Sequence, residues 1–162
     1  LLLGFIDDTR ASEWTWTAVG DGEELLYMAY VENRAGDSFG QVCFADNGEC
    51  FYMLYLGVMC NKDAKFPALI NSSVGSYGIE LVCMGSFESG YFLALTDFDD
   101  ADKVAREADK VGFAVSLEGG KLSVNRFNLD GSAAIMDKMI GAVRLAYNRS
   151  AEGRALEKKG AE

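Results

Sequence analysis

The sequence predicts an α+β, β-rich domain: an antiparallel sheet or sandwich of about eight strands with two helices, the longer one C-terminal. Three observations carry this expectation. Short aromatic and β-branched runs of alternating polarity recur between turn signals. Eighteen glycines stand against a single proline, Pro67, which suits an antiparallel sheet joined by tight turns. Two stretches, opening near Thr96 and Asp130, carry helix-start signals instead.

Taken in order, Trp14-Thr15-Trp16-Thr17 alternates aromatic with polar β-branched residues, as a strand with one buried face does, and Gly20-Asp21-Gly22 turns it. A second strand over 25–32 places Leu25, Tyr27, Ala29 and Val31 on one face and Leu26, Met28 and Tyr30 on the other, so both faces are expected to be covered. After a loop over 33–38, strands over 39–45 and 50–58 meet across Asp46-Asn47-Gly48-Glu49, because Asn-Gly supplies the positive φ angles of a hairpin turn. An irregular loop over 61–67 leads to a strand near 73–84, with Tyr77, Ile79, Leu81 and Cys83 on one face. Another short strand follows over 91–96.

Asp97, Asp99, Asp100 and Asp102 then open a helix running to about Lys110, their charges facing the positive end of its dipole. A calcium loop is the alternative reading of this run, but Ala101 and Asp102 occupy the positions where such a loop needs a ligand and a glycine. A hairpin over 112–116 and 121–128, joined through Glu118-Gly119-Gly120, precedes the longest helix, which starts at Asp130-Gly131-Ser132. Ile135, Met136, Met139, Ile140, Val143, Ala146 and Tyr147 recur at three- and four-residue steps and form its apolar stripe. Residues 1–148 are thus expected to form one disulfide-stapled domain and residues 149–162 a charged C-terminal tail that frays or binds something outside the chain.

The 162 residues contain four cysteines, Cys43, Cys50, Cys60 and Cys83, and no histidine. An even set of this kind reads as two disulfides and hence as an oxidising compartment, periplasmic or extracellular. Of the three possible pairings, Cys43–Cys50 with Cys60–Cys83 ranks first because each bond closes a local loop. A two-residue turn would set Cys43 and Cys50 diagonally, whereas a four-residue loop would set them directly opposite.

The missing histidine removes Ser-His-Asp and Cys-His nucleophiles and the commonest transition-metal ligand, so neither catalysis nor a metal or cofactor is expected. Glu23, Glu24, Glu80, Glu88, Asp97 and Asp99 leave a carboxylate pair conceivable, with a solvated face as the simpler reading. A net charge of −10 repels nucleic acid and anionic membrane surfaces, and the basic Arg154, Lys158 and Lys159 are interleaved with acids. No apolar run reaches the length of a membrane span. Leu1-Leu2-Leu3-Gly4-Phe5-Ile6 reads either as a secretory remnant, with Thr9-Arg10-Ala11 as a poor cleavage site, or as an N-terminal strand or arm. Asn71-Ser72-Ser73 and Asn148-Arg149-Ser150 match the glycosylation triplet, a pattern common by chance. The loop over 61–76 is the candidate recognition surface, with Lys62, Lys65, Phe66 and Tyr77 as binding residues on a disulfide-anchored frame; alternatively Phe66 and Leu69 plug the end of the sheet.

The Trp14-Thr15 segment, the paired cysteines, the Asp- and Ala-rich helix, Gly112-Phe113-Ala114-Val115-Ser116-Leu117 and Arg126-Phe127-Asn128-Leu129-Asp130-Gly131-Ser132-Ala133-Ala134 together resemble the invasion-associated locus B family of bacterial envelope proteins. The resemblance spans most of residues 14–140 and implies a periplasmic or secreted β-rich fold without established catalytic residues. The expected function is a non-catalytic envelope module for interaction or assembly, partnered by another protein chain or by itself. The alternative is a small-ligand or inhibitor-type binding protein with an aromatic-lined pocket between sheet and helix.

Overall fold

A computed structural model describes residues 13–87 and 90–160. Nine strands alternate with short connections: β1 (Thr15–Val19), β2 (Leu26–Glu32), β3 (Ser38–Phe44), β4 (Cys50–Leu56), β5 (Lys65–Ser72), β6 (Gly75–Phe87), β7 (Gly90–Leu95), β8 (Lys110–Ser116) and β9 (Leu122–Asn128). Helix α1 (Phe98–Glu107) follows β7, and α2 (Ser132–Gly160) closes the chain. All strands join one open antiparallel sheet in the order β1-β2-β3-β4-β7-β6-β5-β8-β9, so the α+β, β-rich class and the long C-terminal helix stand as expected. The leading hydrophobic segment, Leu1 to Ile6, lies outside the described residues.

Alternation sends one set of side chains to a common core. Ala29, Phe39, Tyr52, Leu54, Leu93, Leu81, Phe66, Phe113 and Phe127 share the inner face and are buried. Phe39 on β3 sits 5.0 Å from Phe113 on β8 and 5.9 Å from Phe127 on β9, so strands remote in sheet order meet around an aromatic centre. The sheet is therefore strongly coiled, as right-handed strand twist favours. Trp14 fixes the two edges: its ring packs edge-on against Phe39, and its indole N–H donates to the Asn128 carbonyl at 2.9 Å. Helices α1 and α2 cover the inner face beside β4, β2 and β1. The α2 stripe is core through Met136, Met139 and Val143, whereas Tyr147 at its far end is 40% exposed.

Both expected disulfides form. The Phe44 amide donates to the Glu49 carbonyl, leaving a four-residue loop that sets Cys43 directly opposite Cys50, with Cα atoms 4.1 Å apart. Cys60–Cys83 anchors the segment before β5 to β6, and the Asp63 amide and Ala64 carbonyl add backbone bonds to Cys83.

Three expectations change. The stretch expected as a loop over 61–76 contains a ninth strand, β5, whose Phe66, Ala68 and Ile70 point inward. Pro67 is tolerated there because β8 pairing begins only at Ala68, so its missing N–H lies on an unpaired flank. Strand β1 is exposed on both faces rather than half-buried, since it forms a sheet edge and only the preceding Trp14 is inserted. Helix α2 continues past Asn148 to Gly160, into the segment expected as a tail, although no described side chain beyond Val143 is buried.

Candidate functional site

A cavity of about 360 Å³ opens at the seam between sheet and helices, within the size range of small-ligand sites. Its floor is Gln41 on β3, and its walls include Phe98 and Asp102 on α1, Ile140, Val143, Arg144 and Tyr147 on α2, and the Cys50 end of β4. Gln41 belongs to the inner face, in register with Ala29 and Tyr52, where an apolar residue would be expected. It is 1% exposed, and its side-chain oxygen Oε1 is buried without a hydrogen-bond partner. An unsatisfied buried acceptor is costly and rare, so this atom calls for a donor.

A polar network stiffens one wall. The Tyr52 hydroxyl donates to Asp102 Oδ1 at 2.7 Å and lies 3.3 Å from Met136 Sδ, while Phe98 packs over the Tyr52 ring. Arg106 Nε donates to the same Asp102 oxygen at 3.0 Å, and its Nη1 reaches Asp137 on α2 at 2.9 Å. Burial first, then the bond to Asp102, pushes the Tyr52 phenol well above its ordinary value, so it remains a donor. Arg144, by contrast, makes no ion pair among the described residues. The cavity thus presents a buried acceptor, an uncommitted guanidinium and two half-exposed aromatic rings.

The recognition residues expected from sequence are dispersed. Lys62 is exposed in the turn before β5, and Lys65 pairs with Glu80 at 3.0 Å on the surface. Phe66 is 4% exposed and belongs to the core. Tyr77 packs against that core, with its hydroxyl donating to the Val74 carbonyl at 3.3 Å. Two of the acidic candidates have structural partners: Asp97 caps α1 by accepting from the Asp100 amide, and Glu80 is engaged by Lys65. Glu88 lies outside the described residues. Among the described residues no group of three acids or thiols is placed to hold a metal ion, and no helix is long and apolar enough to cross a membrane. Sequence reasoning missed Gln41, whose signal was a lone amide in the inward register of an otherwise apolar strand.

The outer face of β2, β3, β4 and β7 is also apolar. Met28, Tyr30, Val42, Phe44, Phe51, Met53, Tyr55 and Phe92 all alternate onto it. Val42 and Met53 are buried there apart from the main core, beneath the Phe44–Phe51 and Tyr55–Phe92 ring pairs.

The class these features define is a β-rich, doubly disulfide-bonded domain with a polar-floored cavity between a coiled sheet and two helices. Comparison with protein-family models, with curated proteins and with solved structures finds no match to the chain.

Proposed function

We propose that this chain is a non-catalytic binding domain of an oxidising extracytoplasmic compartment, and that it takes a small polar ligand in the seam cavity. The observation that carries the reading is the buried, unpartnered Gln41 Oε1 at the cavity floor. A ligand filling this space would offer an O–H or N–H to Gln41, an acidic group to Arg144, and a flat apolar body between Phe98, Ile140 and Tyr147. Two disulfides in a chain without free cysteines support the oxidising compartment, in keeping with the family resemblance. The test is titration with hydroxylated aromatic acids, starting with 4-hydroxybenzoate. The wild-type protein should gain thermal stability, and Gln41→Leu and Arg144→Gln should lose that response. A wild type indifferent to the whole series would sink the proposal.

The largely apolar outer face of β2-β3-β4-β7, with Glu32 as its charged margin, favours a second reading, an assembly module. Two copies related by a twofold axis would bring identical apolar faces together, as sheets do when they pack face to face. Light scattering separates the readings: a mass that doubles with concentration and falls back in Phe51→Lys supports assembly, and a constant monomer mass removes it.

A further inference from the structure

A second groove, of about 550 Å³, lies on the opposite, outer face where β5, β8 and β9 run side by side. Its floor is Gly112, whose absent side chain leaves a trough between Asn71 on β5 and Arg126 on β9; these three form one rung of the sheet. The next rung outward pairs Lys110 with Asn128, and Ser73 closes the end. The groove is rich in hydrogen-bond donors. The Asn71 side-chain oxygen already accepts from the Ser76 hydroxyl at 2.7 Å, and that of Asn128 accepts from the Asp130 amide at 3.1 Å, so each amide has its NH₂ left to donate. Lys110 and Arg126 form no ion pair among the described residues, although Asp109 and Asp130 are near in sequence and the chain is strongly acidic. Two uncommitted cations surrounded by amide donors match an anion with several acceptor oxygens.

In the other direction along the same face the character reverses. The next rung is Leu69, Ala114 and Val124, followed by Leu122 opposite Ser116. Leu69 is 46% exposed, Val124 51% and Leu122 65%, so the strip is open to solvent. From Arg126 to Leu122 it extends for about 13 Å at 3.3 Å per residue.

We propose that this face binds single molecules of an anionic amphiphile, with a phosphate monoester head held by Lys110, Arg126, Asn71 and Asn128 and an alkyl chain laid along Val124, Leu69 and Leu122. Charge decides between a free amphiphile and an anionic bilayer: a net −10 opposes approach to a whole anionic surface, whereas one head group meets only the local donors.

The test uses the full oxidised chain and isothermal titration with dodecyl phosphate below its micelle concentration. Gly112→Val is the informative variant, because a Cβ there would meet nothing closer than 3.8 Å and its φ is not in the glycine region, so the groove fills while the strand is kept. Binding of dodecyl phosphate should weaken by about tenfold or more in Gly112→Val and in Arg126→Gln. Val124→Ser should weaken it as well, while inorganic phosphate should bind far more weakly than the amphiphile. Unchanged affinity in Gly112→Val and Arg126→Gln overturns the proposal, as does equal binding of dodecyltrimethylammonium, which would reduce the effect to apolar adsorption. Binding only to phosphatidylglycerol vesicles overturns it in favour of a membrane surface. None of these outcomes depends on Gln41 or Arg144, so the seam cavity stands or falls separately.

Discussion

Tyr52 and Asp102 are joined by a 2.7 Å hydrogen bond that crosses from the inner face of β4 to the middle of α1. The same Asp102 oxygen accepts from Arg106, whose other arm holds Asp137 on α2, so one carboxylate links the sheet to both helices. This link gives the wall of the seam cavity its shape.

The alkaline limb of stability should report this bond. Folding raises the Tyr52 pKa above its ordinary value of 10.0, chiefly through burial. The native state therefore holds the phenolic proton more tightly than the unfolded chain does, and the contribution is complete below about pH 10 and lost as pH rises beyond it. Denaturant titrations at successive pH values should show stability falling above that point, with a flatter fall in Tyr52→Phe. Equal slopes in both proteins would show that Tyr52 is not the responsible group.

The two disulfides should differ in worth. Cys60–Cys83 spans 23 positions and Cys43–Cys50 only 7. In the chain-entropy account, the longer closure stabilises by about 3 kcal/mol and the shorter by about 2 kcal/mol. Paired replacement by alanine at 60 and 83 should therefore lower the denaturation midpoint more than the same change at 43 and 50. The opposite ranking would show that the hairpin bridge is supported by packing beyond loop closure.

Phe39 is the residue on which the coil of the sheet converges, touching Trp14, Tyr52, Phe113 and Phe127. Truncation to alanine should cost about 3–5 kcal/mol, the range for a large aromatic removed from a closed core. Trp14 fluorescence should shift to longer wavelength in the same variant, because its ring loses its edge-on partner. A loss below about 1 kcal/mol, the size of an ordinary point substitution, would mean that the sheet does not close around this ring.

Local signals made much of this fold legible. The Asn47-Gly48 turn located the β3–β4 hairpin, and the stripe from Ile135 to Val143 oriented α2. Strand β5 was hidden because Lys65 and Pro67 punctuate it, and only its neighbours reveal that the proline lies on an unpaired flank. The coil of the sheet was equally hidden, since the contacts of Phe39 with Phe113 and Phe127 join residues far apart in the chain. The sites suffered most. Lys62, Lys65, Phe66 and Tyr77 look alike as a cluster in sequence, but strand alternation sends Phe66 inward and leaves Lys65 to a surface ion pair. Gln41 showed only as a lone amide and Gly112 not at all, because their meaning lies in what surrounds them: an acceptor with no donor, and a gap between an amide and a guanidinium.

Gln41 supplies a test independent of any ligand. An acceptor buried without a partner burdens the native state by about 1–3 kcal/mol, whereas an apolar side chain of similar length carries no such cost. Gln41→Met should therefore stabilise the protein by about 1 kcal/mol or more in denaturant titration. The same substitution should abolish the thermal shift given by hydroxylated aromatic acids, since the donor on the ligand would have nothing to meet. Stabilisation combined with loss of binding is the pattern expected where stability has been given up for function. Destabilisation would instead show that the Gln41 amide already has its partners in solution and that the cavity floor is structural.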